Sequence, residues 1–203
     1  RCRWINMPLK GSVYSISIED IKNLSTKDVD GNLVPLTKTI NTKNETPVSI
    51  YSKVASQPYS FLFESVEGAE RIARYSFIGV KPYEIIKTGA NQKHGSVDPL
   101  KLIEQRLSNR KVVKQFNSNR FDGGAVGYAS YETASYFEDL PTANQDTLNL
   151  PESVFMFFNT YIMFDHIDNR ISIVSHVNLD EKIETSYAEA VDNIESVIEL
   201  LST

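Results

Sequence analysis

The sequence predicts an α+β fold of mainly antiparallel sheets with flanking helices. Segments with strand patterning outnumber helical segments, and they often follow one another directly along the chain. Parallel sheets would instead require a regular alternation of strand and helix. No internal repeat is visible, so a solenoid or propeller is not indicated.

Composition limits the class of protein. The chain has 203 residues, 41% of them hydrophobic, and a net charge of -5, all ordinary for a globular protein. The sequence shows no clustered basic face of the kind that proteins binding nucleic acid usually carry. No apolar run approaches the roughly 20 residues that a membrane-spanning helix needs. Cys2 is the only cysteine, so an internal disulfide or a thiolate metal site is excluded. We therefore expect no nucleic-acid or membrane partner, and cytoplasm is the default location.

The sequence pattern predicts a short N-terminal extension followed by one main domain. Residues 1–30 are expected to be a poorly patterned N-terminal extension, with one short helix capped by Ser17 and with Asp20 at its third position. The main domain is expected to span residues 31–203. Its first strand includes Pro35, which cannot donate to a ladder, so this strand is predicted at a sheet edge.

Two helices begin with the same device, a capping residue followed by proline at the first helical position. These are Thr46-Pro47 and Asp98-Pro99. Their predicted buried stripes are Val48, Tyr51 and Val54 in the first, and Leu100, Ile103 and Leu107 in the second. A last helix is predicted over residues 180–201, where apolar residues recur with a clean period of 3.6.

Strands are predicted between these helices. Residues 59–79 indicate a hairpin turning at Gly68, with Phe61 and Phe63 on one face of its first strand. Glycines in residues 121–131 indicate a strand approached closely by another backbone. Residues 153–165 are apolar on both faces and predict one central strand, paired in a hairpin with residues 170–177.

The residues alone reveal no convincing catalytic constellation and no metal site. His94, His166 and His176 are dispersed, and the last two are expected to be exposed on the sheet. The margin of the hairpin over residues 59–79 combines a carboxylate, a hydroxyl and an arginine with apolar strands. Such a margin suits an aromatic ligand with a charged end, whereas most such hairpins are a plain sheet with a polar rim.

Four ordered motifs resemble anthranilate synthase component I. They are residues 46–48 (Thr-Pro-Val), residues 61–79, residues 123–128 with Tyr131 and Glu132, and residues 164–166 (Phe-Asp-His). The second motif begins Phe-Leu-Phe-Glu-Ser, where the family typically has Leu-Leu-Glu-Ser. The resemblance covers residues 33 to about 201 and leaves the first 30 uncovered.

The resemblance implies a role in tryptophan synthesis. The family converts chorismate to anthranilate and pyruvate with Mg²⁺, using ammonia from a glutamine amidotransferase subunit, and L-tryptophan inhibits it from a remote pocket. Ser65 is expected to line this pocket, beside Phe63 and Glu64. Glu64 is expected to meet the ammonium group of tryptophan and Arg74 its carboxylate, with Ser76 on the same polar margin.

The family's Mg²⁺ ligands, chorismate-binding groups and catalytic histidine are expected beyond Thr203. No catalytic or metal residue is therefore assigned, and the fragment alone is expected to be inactive and to bind no cofactor. The apolar face of the last helix is expected to pack on the absent half, which would leave the isolated chain poorly soluble. Two alternatives stay open: a piece of aminodeoxychorismate synthase component I, and a free-standing amino-acid-binding module.

Overall fold

The computed structural model describes residues 14–40, 45–64, 74–116, 121–141 and 148–202. Its helices and strands, in chain order, are α1 (Ile18–Ser25), β1 (Leu33–Ile40), α2 (Pro47–Val54), β2 (Phe61–Phe63), β3 (Tyr75–Gly79), β4 (Glu84–Thr88), α3 (Pro99–Leu107), β5 (Gly124–Ala129), β6 (Ser153–Phe158), β7 (Thr160–Asp165), β8 (Arg170–Asn178) and α4 (Ile183–Leu201). Short 3-10 helices cover Lys114–Phe116 and Tyr131–Tyr136.

The described strands form two sheets. The first sheet has the order β1-β8-β7-β3-β2, and the second has the order β4-β6-β5. All neighbouring strands within them are antiparallel, which confirms the predicted α+β fold. β1 lies at an edge of the first sheet, as Pro35 predicted.

Helix α4 covers one face of the first sheet. Ala190, Ile194 and Val197 are at most 3% exposed and share a core cluster with residues of β1, β7 and β8. Helices α1 and α2 contact α4 on its flanks. The expectation that α4 would present this face to an absent half is therefore wrong, because its own sheet buries that face. The predicted poor solubility was based on an exposed apolar face of α4, and that face is buried.

The described part of the N-terminal segment contributes to the same core. Ser17 caps α1 by accepting a hydrogen bond from the backbone N–H of Asp20, as predicted. Ile21 and Leu24 of α1 are buried in the cluster that includes α4. Residues 14–30 thus pack as part of the domain that follows them.

The predicted caps of α2 and α3 are confirmed, but two stripe residues are not. The Thr46 side chain accepts from the backbone of Ser49, and the Asp98 side chain accepts from that of Leu100. Val48 and Leu100 are 55% and 51% exposed. Helix α2 buries Pro47, Ile50 and Val54 instead, because these positions lie on the face that meets the first sheet.

The strand predicted over residues 153–165 is two strands in different sheets. The chain leaves β6 at Phe158 and enters β7 at Thr160, so Asn159 is the crossing point. Its carbonyl accepts the backbone N–H of His176 and, at 3.1 Å, the Nδ1 proton of the same residue. The expectation that His176 is exposed is wrong, since only 7% of it is accessible; His166 is exposed as predicted.

Strand β5 carries the predicted close backbone approach. A Cβ atom added at Gly127 would overlap the carbonyl oxygen of Val154 on β6. Only glycine fits there, which explains one of the glycines in this segment.

Candidate functional site

An ion pair closes the end of the first sheet where β3 begins and β7 ends. Arg74 donates from Nε to both carboxylate oxygens of Asp165, at 3.1 and 3.0 Å, and from Nη2 to Oδ2 at 2.6 Å. Nη2 also lies 3.4 Å from Oδ2 of Asp168. The antiparallel register brings Arg74 close to Asp165, because the next residue, Tyr75, pairs directly with Asp165.

The local turn reinforces the position of Asp165. Its Oδ1 accepts backbone hydrogen bonds from Ile167 at 3.0 Å and from Asp168 at 3.2 Å. Burial on its own would raise the pKa of Asp165, but the hydrogen bonds from Arg74 and from these two backbone groups outweigh it and lower that pKa. The carboxylate therefore stays charged and holds Arg74 in place.

Ser76 lies on β3 and is fully buried. Its hydroxyl is 2.8 Å from Nε2 of His166, and the backbone N–H of His166 donates to the carbonyl of Arg74. The His166 ring also contacts the edge of Phe164 at a centroid distance of 4.9 Å. Arg74, Ser76, Asp165 and His166 thus form one polar cluster at this end of the sheet.

The other predicted ligand-binding residues lie elsewhere or outside the described residues. Phe63 is 52% exposed and pairs with Phe77, so it lies on the face opposite Ser76. Glu64 is exposed directly after β2 and makes no ion pair within the described part of the chain. Ser65 and the predicted turn at Gly68 fall outside the described residues.

Phe63 belongs to an aromatic cluster between the two sheets. Its ring is 4.7 Å from that of Phe61, which in turn meets Phe158 of the second sheet at 5.2 Å. Phe121 joins the cluster through Phe77, at 5.1 Å. A Cβ atom at Gly79 would overlap the Phe61 ring, so this glycine makes room for the aromatic side chain. The cluster offers an apolar wall with one accessible edge at Phe63.

The arrangement offers a cationic group and an apolar wall near the same hairpin. The Nη1 group of Arg74 makes no hydrogen bond to any residue that the structure describes, so it is available to a carboxylate. The aromatic cluster supplies apolar area near the same hairpin. Asp165, His166 and Asp168, which hold the polar cluster, were missed as site residues, although the Phe-Asp-His motif at residues 164–166 contains the first two.

Among the described residues, no group of three or more His, Cys, Asp or Glu side chains is placed to hold a metal ion. Within the same residues, no helix has both the length and the apolar character to cross a membrane.

The fold, the ordered motifs and the comparisons together define the class of protein. The chain belongs to the chorismate-binding enzyme family, whose model matches residues 58–202. Within this class it is similar to anthranilate synthase component 1. It is 35% identical to that of Acetivibrio thermocellus over 83% of this chain and 36% of the relative. It is 36% identical to the probable anthranilate synthase component 1 of Schizosaccharomyces pombe, over 87% of this chain and 36% of the relative.

A third relative and a solved structure agree. The component 1 of Saccharomyces cerevisiae is 32% identical over 91% of this chain and 38% of its own length. The crystal structure of anthranilate synthase component I from Streptococcus pneumoniae TIGR4 shares the fold with a TM-score of 0.52 at 21% identity, over 81% of this chain and 38% of that one. The chain therefore spans a little over a third of the length of the curated relatives it matches.

Proposed function

We propose that this chain is the N-terminal, tryptophan-responsive region of an anthranilate synthase component I. The whole enzyme would convert chorismate and ammonia to anthranilate and pyruvate. The observation that carries the proposal is similarity over more than four fifths of the chain to bacterial and fungal proteins that bear this name. The ordered motifs at residues 46–48, 61–79, 123–128 and 164–166 are consistent with it.

L-Tryptophan is the proposed effector, with Phe63, Glu64, Ser65, Arg74 and Ser76 as its site. Arg74 would meet the carboxylate through its free Nη1 group, and Glu64 would meet the ammonium group. The exposed edge of Phe63 would contact the indole. Ser76 lies on the opposite face from Phe63, so we assign it a positioning role through His166.

The remaining requirements of the whole enzyme belong to the same proposal. They are Mg²⁺, a glutamine amidotransferase subunit that supplies ammonia, and a cytoplasmic location. The proposal assigns no Mg²⁺ ligand to this chain, because its described residues contain no suitable cluster.

A chimeric enzyme tests the proposal. The aligned segment of the Acetivibrio thermocellus protein is replaced by this chain, and anthranilate fluorescence is followed with chorismate, ammonium and Mg²⁺. We expect anthranilate formation that L-tryptophan inhibits. Arg74→Gln should raise the inhibitory concentration about tenfold or more, since it removes a charge-assisted hydrogen bond. Lys101→Gln, on the exposed face of α3, is the matched control.

Each outcome decides a part of the proposal. A folded chimera that forms no anthranilate would contradict the placement of this chain in anthranilate synthase component I. Anthranilate formation that L-tryptophan does not inhibit would remove the regulatory role. The 203-residue chain alone should form no anthranilate and bind L-tryptophan more weakly than micromolar, because half a pocket supplies too few contacts to offset the cost of association. Micromolar binding in calorimetry would contradict this.

A further inference from the structure

A cavity lies between the two sheets, far from the Arg74–Asp165 pair. Its volume is about 290 Å³, and its polar lining consists of Arg110, Lys111, Asp122, Gly123, Gly124 and His176. It adjoins Phe158, at the start of the crossing into β7, whereas Asp165 ends that strand. Six strand residues at about 3.3 Å each place the two sites roughly 20 Å apart. The volume suits a molecule smaller than a typical drug.

Asp122 supplies an unmet negative charge to this cavity. It is half-buried, and it forms no ion pair or hydrogen bond within the described ranges. Burial raises the pKa of its carboxyl. Carboxylates in such positions are normally paired, because desolvation without a partner is costly. Among the described residues, no donor satisfies the Asp122 carboxylate, so its oxygens are open to a ligand.

His176 adds a second unmet acceptor to the same wall. Its Nδ1 donates to the carbonyl of Asn159 at 3.1 Å, so Nε2 carries the lone pair. Nε2 is buried and has no hydrogen-bond partner among the residues described.

Cationic groups line the cavity as well. Arg110 is fixed by its hydrogen bond to the Asn159 side chain and lies over the Tyr83 ring at 5.3 Å. Lys111 is held by an ion pair with Asp30. The cavity thus combines donor and acceptor groups, and both signs of charge are present.

Glycine keeps the space between these groups open. Gly123 and Gly124 have φ angles of 83° and 113°, which disfavour any side chain. A Cβ at Gly123 would come within 2.8 Å of the Phe158 carbonyl oxygen, whereas a Cβ at Gly124 would enter open space. Neither glycine therefore places a side chain in the cavity.

We propose that this cavity binds a small zwitterion, an α-amino acid with a short side chain. Its ammonium group meets Asp122, and its carboxylate faces Arg110 and Lys111. An ion of one sign would satisfy either Asp122 or Arg110 but not both, whereas a ligand with both charges satisfies the two together. This inference is independent of the proposed function and of the tryptophan-binding residues.

NMR titration of the ¹⁵N-labelled 203-residue chain tests the inference, with glycine and L-serine as probes and acetate and methylammonium as half-ligands. We expect saturable shifts of the Gly123 and Gly124 amides with the two amino acids, and affinities at least about tenfold weaker for the half-ligands. Asp122→Asn should weaken binding about ten- to a hundredfold, since a charge-assisted hydrogen bond is lost. Asp139→Asn, an exposed carboxylate on the loop after the second 3-10 helix, is the matched control.

Two further variants and three contrary outcomes complete the test. Lys111→Gln changes an exposed side chain and should also weaken binding of the amino acids. Lys101→Gln, on the exposed face of α3, should leave it unchanged. The inference is overturned if no amino acid gives a saturable shift, if methylammonium or acetate binds as tightly as glycine, or if folded Asp122→Asn binds normally.

Discussion

At the scale of single residues, the ion pair between Arg74 and Asp165 is the best-defined polar contact of the candidate tryptophan site. Its side chains are 33% and 12% exposed, so the carboxylate is the more buried partner. We expect Arg74→Ala to lower the free energy of unfolding by about 1–3 kcal/mol at neutral pH, because a buried carboxylate loses its cation. Urea unfolding measures this, and Lys101→Ala, which removes an exposed cation, should have little effect.

The same pair predicts how this loss depends on pH. The folded state lowers the pKa of Asp165, so its contribution to stability is present above the ordinary pKa of an aspartate. The contribution disappears as the pH falls through the lowered value and the carboxylate is protonated. The difference in unfolding free energy between the wild type and Arg74→Ala should therefore shrink at strongly acidic pH. A difference that stays constant would show that the arginine acts by packing alone.

His176 predicts a separate pH effect. Burial, helped by the nearby Arg110 charge, lowers its pKa from 6.5 to about 4, although the Asn159 carbonyl opposes this. Between these two pKa values, His176 binds a proton more readily in the unfolded chain than in the folded one, so protonation favours unfolding. The free energy of unfolding should fall by about 3 kcal/mol at most as the pH decreases across this interval. His176→Gln should flatten this slope in urea unfolding, whereas His94→Gln, on the loop after β4, should retain it.

At the scale of elements, the sequence predicted features set by neighbouring residues better than features set by distant ones. The caps at Ser17, Thr46 and Asp98 were predictable, because each bonds to a backbone group two or three residues away. The division into two strands at Asn159 was not predicted, since it depends on the pairing of β6 and β7 in different sheets. The same holds for Val48, whose exposure depends on which helix face meets the sheet.

Strand β5 offers a test of a non-local feature that the sequence did predict, the close approach of another backbone. Gly127→Ala would force a methyl group against the Val154 carbonyl oxygen, so the pairing of β5 with β6 must shift. We expect a loss of about 1–3 kcal/mol in the free energy of unfolding, typical of overpacking. Ala129→Ser, exposed on the same strand, should change it little. An unchanged stability in Gly127→Ala would mean that β5 moves away from β6 without cost.

At the scale of the whole molecule, the first sheet is buried on both faces, by helices on one and by the aromatic cluster and the second sheet on the other. This architecture explains why the partners of the predicted site residues were missed. Arg74 and Asp165 are 91 positions apart in the sequence, and only the pairing of β3 with β7 brings them together. A strand pattern shows which segments are extended, but it does not specify which strands become neighbours.

The covering of the first sheet by α4 predicts that the 203-residue chain unfolds cooperatively by itself. Ile194 is fully buried between α4 and the sheet, so Ile194→Ala should lower the free energy of unfolding by about 2–5 kcal/mol through lost burial and the cavity it leaves. Ile167→Ala, in the turn between β7 and β8 where the side chain is 59% exposed, should cost far less. Far-ultraviolet and near-ultraviolet circular dichroism should give one coincident thermal transition for the wild type, shifted to lower temperature in Ile194→Ala. Separate transitions would show that α4 and its sheet do not form one cooperative unit.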